Sequence, residues 1–151
     1  PLIYRLLWIE SGAYHGPMIV KKLEDLYRRF GGVVWCETNG TQVFLAEFLK
    51  MSEMSIPVHN FETTGQNKHD PDFGVEAIGT EMANGYWEFP ALPQKGQEDM
   101  PPAFTRLTEG MLSYSTGSHT SDELMSLFIA REGVRLGSMG ARKTTTELGR
   151  R

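Results

Sequence analysis

The sequence predicts an α/β domain with parallel strands at its centre, and three features point there. Short apolar runs alternate with helical patterns over residues 3–61. The run Val33-Val34-Trp35-Cys36 is continuous rather than alternating, as in a strand buried on both faces. Between the first two runs, Ile19, Val20, Leu23, Leu26, Tyr27 and Phe30 recur at helical spacing. Strand, helix, strand, helix, strand is the order of right-handed parallel crossovers. At 151 residues the chain is one domain's worth. With 23% charged and 40% hydrophobic residues it is globular in composition rather than disordered.

In chain order, residues 3–10 read as a strand bounded by Ser11-Gly12. Pro17 suits a first helical turn, and Gly31-Gly32 ends that helix. The apolar strand at 33–36 ends on Glu37, and Asn39-Gly40-Thr41 turns into a second helix carrying Val43, Phe44, Ala46, Phe48, Leu49 and Met51. Ile56 to Phe61 reads as a further strand, and Glu62 to Asp70 as a polar loop. A third helix is expected from Pro71 to Ala83, then a brief strand over residues 86–90. Residues 91–101 form a proline-rich exposed loop, and Phe104 to Leu112 a helix. Ser121 can cap a last helix beginning at Asp122. The expected division is a folded domain over 1–136 and a small, polar, basic, disordered tail over 137–151.

The net charge of −4 argues against coating nucleic acid by bulk charge. It leaves room for a local acidic site that gathers cations. Cys36 is the single cysteine, so no internal disulfide forms and a reducing compartment fits; it reads as a small buried hydrophobe. No apolar stretch approaches the ~20 residues of a membrane span. No signal-peptide pattern is present. The chain opens on Pro1 and enters an apolar segment at once, which reads as a fragment. A Walker-type phosphate loop is absent, and His15, His59, His69 and His119 lack zinc-ligand spacing.

Two acids stand out. Glu37 ends a buried strand, at the edge where α/β sheets bind ligands. The bland alternative is a solvated cap for the next helix. Asp122 opens an apolar helix, where acids are favoured by the helix dipole alone. The turn from Gly117 to Ser121 sets other polar side chains beside it, including His119, a candidate to support the ligands from behind. Mg²⁺ and Mn²⁺ prefer oxygen ligands and retain waters, so two or three carboxylates with phosphate oxygens suffice.

The segments Trp35-Cys36-Glu37-Thr38-Asn39-Gly40-Thr41-Gln42, Thr63 to Lys68, Glu81 to Pro90 and His119 to Met125 come in an order that resembles the nuclease domain of tailed-phage terminase large subunits. The likeness covers most of residues 2–136, and order and spacing carry it more than any single motif.

The resemblance implies an RNase H-like fold, with a mixed central sheet flanked by helices. It implies a Mg²⁺- or Mn²⁺-dependent endonuclease that cuts concatemeric double-stranded viral DNA during packaging, in the cytoplasm of an infected bacterium. Glu37 and Asp122 match two of the family's metal-holding catalytic acids. Lys68 matches a basic loop position assigned to DNA, and Asn39 is placed with it as a DNA contact. The implied partners are the portal protein, the terminase small subunit and an ATPase domain upstream in the same chain. The family's first strand, with its Asp, has no counterpart ahead of residues 3–10, and Glu10 is not assigned that role. Glu123, one position after Asp122 on a helix, is expected to point elsewhere. The competing readings are a resolvase-like nuclease and an inactive RNase H-like docking domain that contacts packaging subunits.

Overall fold

The computed structural model describes residues 2–38, 47, 49, 52–90 and 101–148, with side chains described as far as Ser138. The described elements are β1 (Tyr4–Arg5), α1 (Gly16–Phe30), β2 (Val34–Glu37), β3 (Val58–Phe61), α2 (Gly65–Lys68), α3 (Val75–Ala83), β4 (Trp87–Glu88), α4 (Pro102–Ser113) and α5 (Asp122–Leu148). They form a mixed α/β arrangement. The described strands make two separate parallel pairs, β1 with β4 and β2 with β3.

Local chemistry sets most boundaries. Pro17 lies in the first turn of α1, and Gly31 ends that helix at φ 67°, a conformation that glycine adopts without strain. Ser121 accepts the Leu124 N–H at 3.3 Å and so caps α5. Two stretches differ from expectation at their starts. The loop after β3 contains α2, because Thr64 and Asn67 form a reciprocal capping box. Helix α3 begins at Val75 rather than Pro71, because Asp70 Oδ1 accepts the N–H groups of Asp72 and Phe73 and holds them in a turn. Of the first apolar run only Tyr4–Arg5 is strand, since β4 offers two residues to pair with. Of the second expected helix, Glu47 and Leu49 are described and are helical; its other residues, like the loop at 91–100, lie outside the described residues. Helical backbone also runs from Gly137 on to Leu148, through most of the stretch that composition marks as a disordered tail. Once the early turns of a helix are packed, each further residue adds a backbone hydrogen bond without a new nucleation step.

The pair β2–β3 is covered on both faces. Cys36 is buried with Leu49 and Ile56, and Val20, Leu23 and Tyr27 of α1 pack against that cluster. Side chains alternate along a strand, so Trp35 points the other way. It joins the larger cluster of Val75, Ile78, Leu107, Leu124, Leu127, Phe128 and Ile129. Phe128, 1% exposed, meets Phe61 of β3 edge to face at 5.9 Å. Burying such a ring is worth about 1.5–3 kcal/mol. Gly133 permits the close approach of β2 to α5: a Cβ there would stand 2.5 Å from the Trp35 indole.

A buried ionic cluster ties α5 to α3. Arg131 donates to Glu81, to Glu132 Oε1 at 2.7 Å and to the Phe73 carbonyl at 2.6 Å. Trp87 Nε1 of β4 donates to Glu81 Oε2 at 3.0 Å, and Arg135 bridges to Glu132 at 2.6 Å. Tyr4, stacked on Trp87, has its phenol pKa raised by burial and then by Glu81. No helix among the described residues is long and apolar enough to cross a membrane.

Candidate functional site

Beside β2 opens a cleft of about 1320 Å³. The loop Glu10–Tyr14, α1, β2, His59 of β3, Arg106 of α4 and the first four turns of α5 wall it. Glu37 and Asp122 both line it. Glu37 reaches it as the last residue of β2, all four of whose residues line the cleft. Asp122 reaches it as the first residue of α5. These two acids, distant in the chain, are therefore brought to one cavity.

The remaining expected residues are placed elsewhere. Lys68 ends α2 and is absent from the cleft wall. His119 is exposed in the turn before α5 and does not line the cleft either. Asn39 lies outside the described residues. Cys36 is buried, and burial pushes its thiol pKa up, as suits a packing residue.

A polar network at the cleft mouth escaped sequence reasoning. Glu123 is 8% exposed and, against the expectation that it points elsewhere, lines the same cleft as Asp122. Its Oε1 accepts Ser11 Oγ at 2.6 Å and Arg106 Nε at 2.8 Å. Arg106 also donates to the Ser11 carbonyl at 3.1 Å. The Ser11 hydroxyl, and then Arg106, hold the Glu123 carboxyl below its ordinary pKa. Next to this network Glu10 accepts from Lys22 and from the Tyr14 hydroxyl, and the Lys22 bond first of all lowers its pKa. The loop at 10–14 is thus pinned to α1, α4 and α5 by charge-assisted bonds. No spacing rule flags these partners, because Ser11, Arg106 and Glu123 are far apart in sequence and each reads singly as a surface residue.

The donor chemistry of the cleft suits a hard cation, since Glu37 and Asp122 offer carboxylate oxygens. The number of donors falls short of a resident site: among the described residues, no three His, Cys, Asp or Glu side chains lie together in a metal-holding group. Comparison with family models, curated proteins and solved structures returned no match.

Proposed function

We propose that this cleft is the nuclease site of a Mg²⁺- or Mn²⁺-dependent DNA endonuclease of the terminase large-subunit type, on an RNase H-like domain that cuts concatemeric double-stranded viral DNA during packaging. The observation that supports it is the convergence of Glu37 and Asp122 on one cavity. Glu37 stands at the carboxyl end of a parallel strand, where α/β proteins bind ligands.

Within this reading Glu37 and Asp122 are the catalytic acids and hold the cation, with phosphate oxygens and water completing its shell. Such a cation supplies an activated water and neutralises phosphate charge. Two described carboxylates fall short of a full ligand set, so phosphate oxygens and water would have to supply the rest. The protein's own groups position and polarise. Asp122 sits where the α5 dipole favours negative charge, its own or a phosphate's. Arg106, half-exposed and oriented by Glu123 and Ser11, keeps a cation at the cleft mouth of the kind that contacts DNA phosphates. Lys68 and Asn39 belong in this reading as DNA contacts beyond the cleft wall. Portal protein, terminase small subunit and an ATPase domain are its proposed partners, and the cytoplasm of an infected bacterium its proposed setting.

The test is plasmid nicking in Mn²⁺ by the full chain and its Glu37→Ala and Asp122→Ala variants. The expected result is loss of at least about tenfold in rate for each variant, because members of a metal site act as a unit. Circular dichroism and melting temperature should stay unchanged. Equal cutting by all three proteins, or no cutting and no Mn²⁺ binding by the unaltered chain, refutes the reading.

A further inference from the structure

A second, smaller cavity of about 410 Å³ adjoins the cleft. Glu10, Ser11, Tyr14 and Arg106 line both spaces, so one loop and one guanidinium form the partition between them. Trp8, Pro101 and Pro102 add flat, apolar wall to the smaller one. Its volume falls in the range of small-ligand sites, roughly 300–1,000 Å³.

The groups that line it are fixed before any ligand arrives. The Arg29 guanidinium lies over the Trp8 ring, 4.7 Å from its centre, and Lys22 Nζ lies over the Tyr14 ring at 4.6 Å. A cation over one face of a ring leaves the other face for stacking. Tyr14 is held further by its hydroxyl, which donates to Glu10 at 3.1 Å. Arg106 is fixed as well. Its Nε donates to Glu123, and its Nη2 to the carbonyl and hydroxyl of Ser11. Its Nη1 has no partner among the described residues. The two acids nearby do not repel an incoming anion with unmatched charge. Glu10 already accepts from Lys22, and Glu123 from Arg106. Side chains ordered in advance lose little entropy when a ligand binds.

An aromatic recess alone would take many flat or apolar groups. An unused guanidinium donor at its rim asks in addition for an anion beside the flat group. A nucleotide joins the two, a planar base one sugar away from a phosphate. From these observations we infer that the smaller cavity holds an unpaired nucleobase, stacked against Trp8 and Tyr14, of a DNA strand whose adjacent phosphate lies on Arg106. This rests on the reading of the cleft as a DNA site and narrows its substrate. A base enters such a recess only after leaving the helical stack, and that costs least where pairing is already interrupted. The preferred DNA is therefore frayed, gapped or single-stranded next to the cleft.

The experiment is fluorescence anisotropy in EDTA with the full chain and three labelled probes: a short oligothymidylate, an abasic strand of equal length and a blunt duplex. Oligothymidylate should bind at least about fivefold more tightly than the abasic strand, as base stacking on aromatic side chains provides. Trp8→Leu should remove most of that advantage, and so should Tyr14→Leu. Trp8→Phe keeps a stacking face and should retain it, with melting temperatures alike among these proteins. Arg106→Gln should weaken both strands equally and lower the salt slope by about one, as loss of one phosphate contact does. Equal binding of base-bearing and abasic strands by the unaltered chain overturns the inference. So does an advantage undiminished in both leucine variants, or tightest binding to the blunt duplex. No cutting is read, so the outcome is separate from whether Glu37 and Asp122 prove catalytic.

Discussion

The two sides of α5 differ in what they leave open. One side carries Leu124, Leu127 and Phe128 into the core and then Arg131 and Glu132, both at most 5% exposed, into a cluster with Glu81 and Trp87. The other carries Asp122, Ser126, Ala130 and Val134, exposed residues along the cleft. On the first side even charges are buried, because each has partners. On the second, apolar and acidic groups stand uncovered together. Groups that need partners sit where the fold has closed around them, and groups that water can tolerate sit where it has not. The closed side therefore specifies how α5 docks, and the open side is where a ligand can act without disturbing that docking.

The sharpest way to break this contrast is to remove the cation from the closed side. Arg131→Met keeps length and volume but leaves the buried Glu132 and the part-buried Glu81 without their shared partner. Breaking a buried pair costs about 3–5 kcal/mol, and because Arg135 still bridges to Glu132 the cost here falls toward the low end. Urea unfolding should show that loss. Adding Glu81→Gln to the Arg131→Met background should recover part of it. A loss below about 1 kcal/mol would place the cluster among surface ion pairs, and the two sides would then not differ in kind.

A middle case lies between the two sides. Glu123 is buried like the first set but lines the cleft mouth like the second. Its folded-state pKa is depressed, by the Ser11 hydroxyl first and then by Arg106, from an ordinary 4.5. Its stabilisation is therefore fully present above pH 4.5 and drains away as pH falls through the lower folded value. Glu123→Gln should cost about 1 kcal/mol at pH 7, toward the low end for a charged hydrogen bond because Arg106 is half exposed. It should also flatten the acid limb of a stability-against-pH curve. Glu10, also depressed, remains in both proteins, so the difference between the two curves isolates Glu123. Parallel acid limbs would show that the mouth network does not hold the loop.

What could be read from the sequence follows the same division. Local signals were legible: Pro17 and Gly31 bounding α1, Ser121 capping α5, the buried run that ends at Glu37. Each depends on neighbours within a turn or on strand periodicity. The convergence of Glu37 and Asp122 was legible only as an expectation, because it needs both ends of the fold. The Ser11–Arg106–Glu123 network was not legible at all, since its members meet only after α4 and α5 have docked. Lys68 and His119 fall away from the cleft for a related reason. A loop side chain is aimed by local turn geometry, here the Thr64–Asn67 capping box and the turn before Ser121, which periodicity does not report. The sheet is the remaining case. Apolar runs showed that strands exist, but not that the described ones would pair as two separate two-stranded sheets.

The smallest effect is expected on the open side, and it is the most discriminating about why that side is open. Val134 is 51% exposed at the cleft wall. If the cleft needs no occupant for the fold to stand, Val134→Ser should change stability by no more than about 0.5 kcal/mol, as for ordinary surface positions. Urea unfolding of this one variant thus separates two accounts of the same residue. A stability loss near that of a core truncation, about 2 kcal/mol or more, would mean that Val134 is already packed in solution and that the cleft is closed there. Unchanged stability would leave this exposed valine as one of the scattered apolar residues that every surface carries, and the cleft as open to solvent on the α5 side.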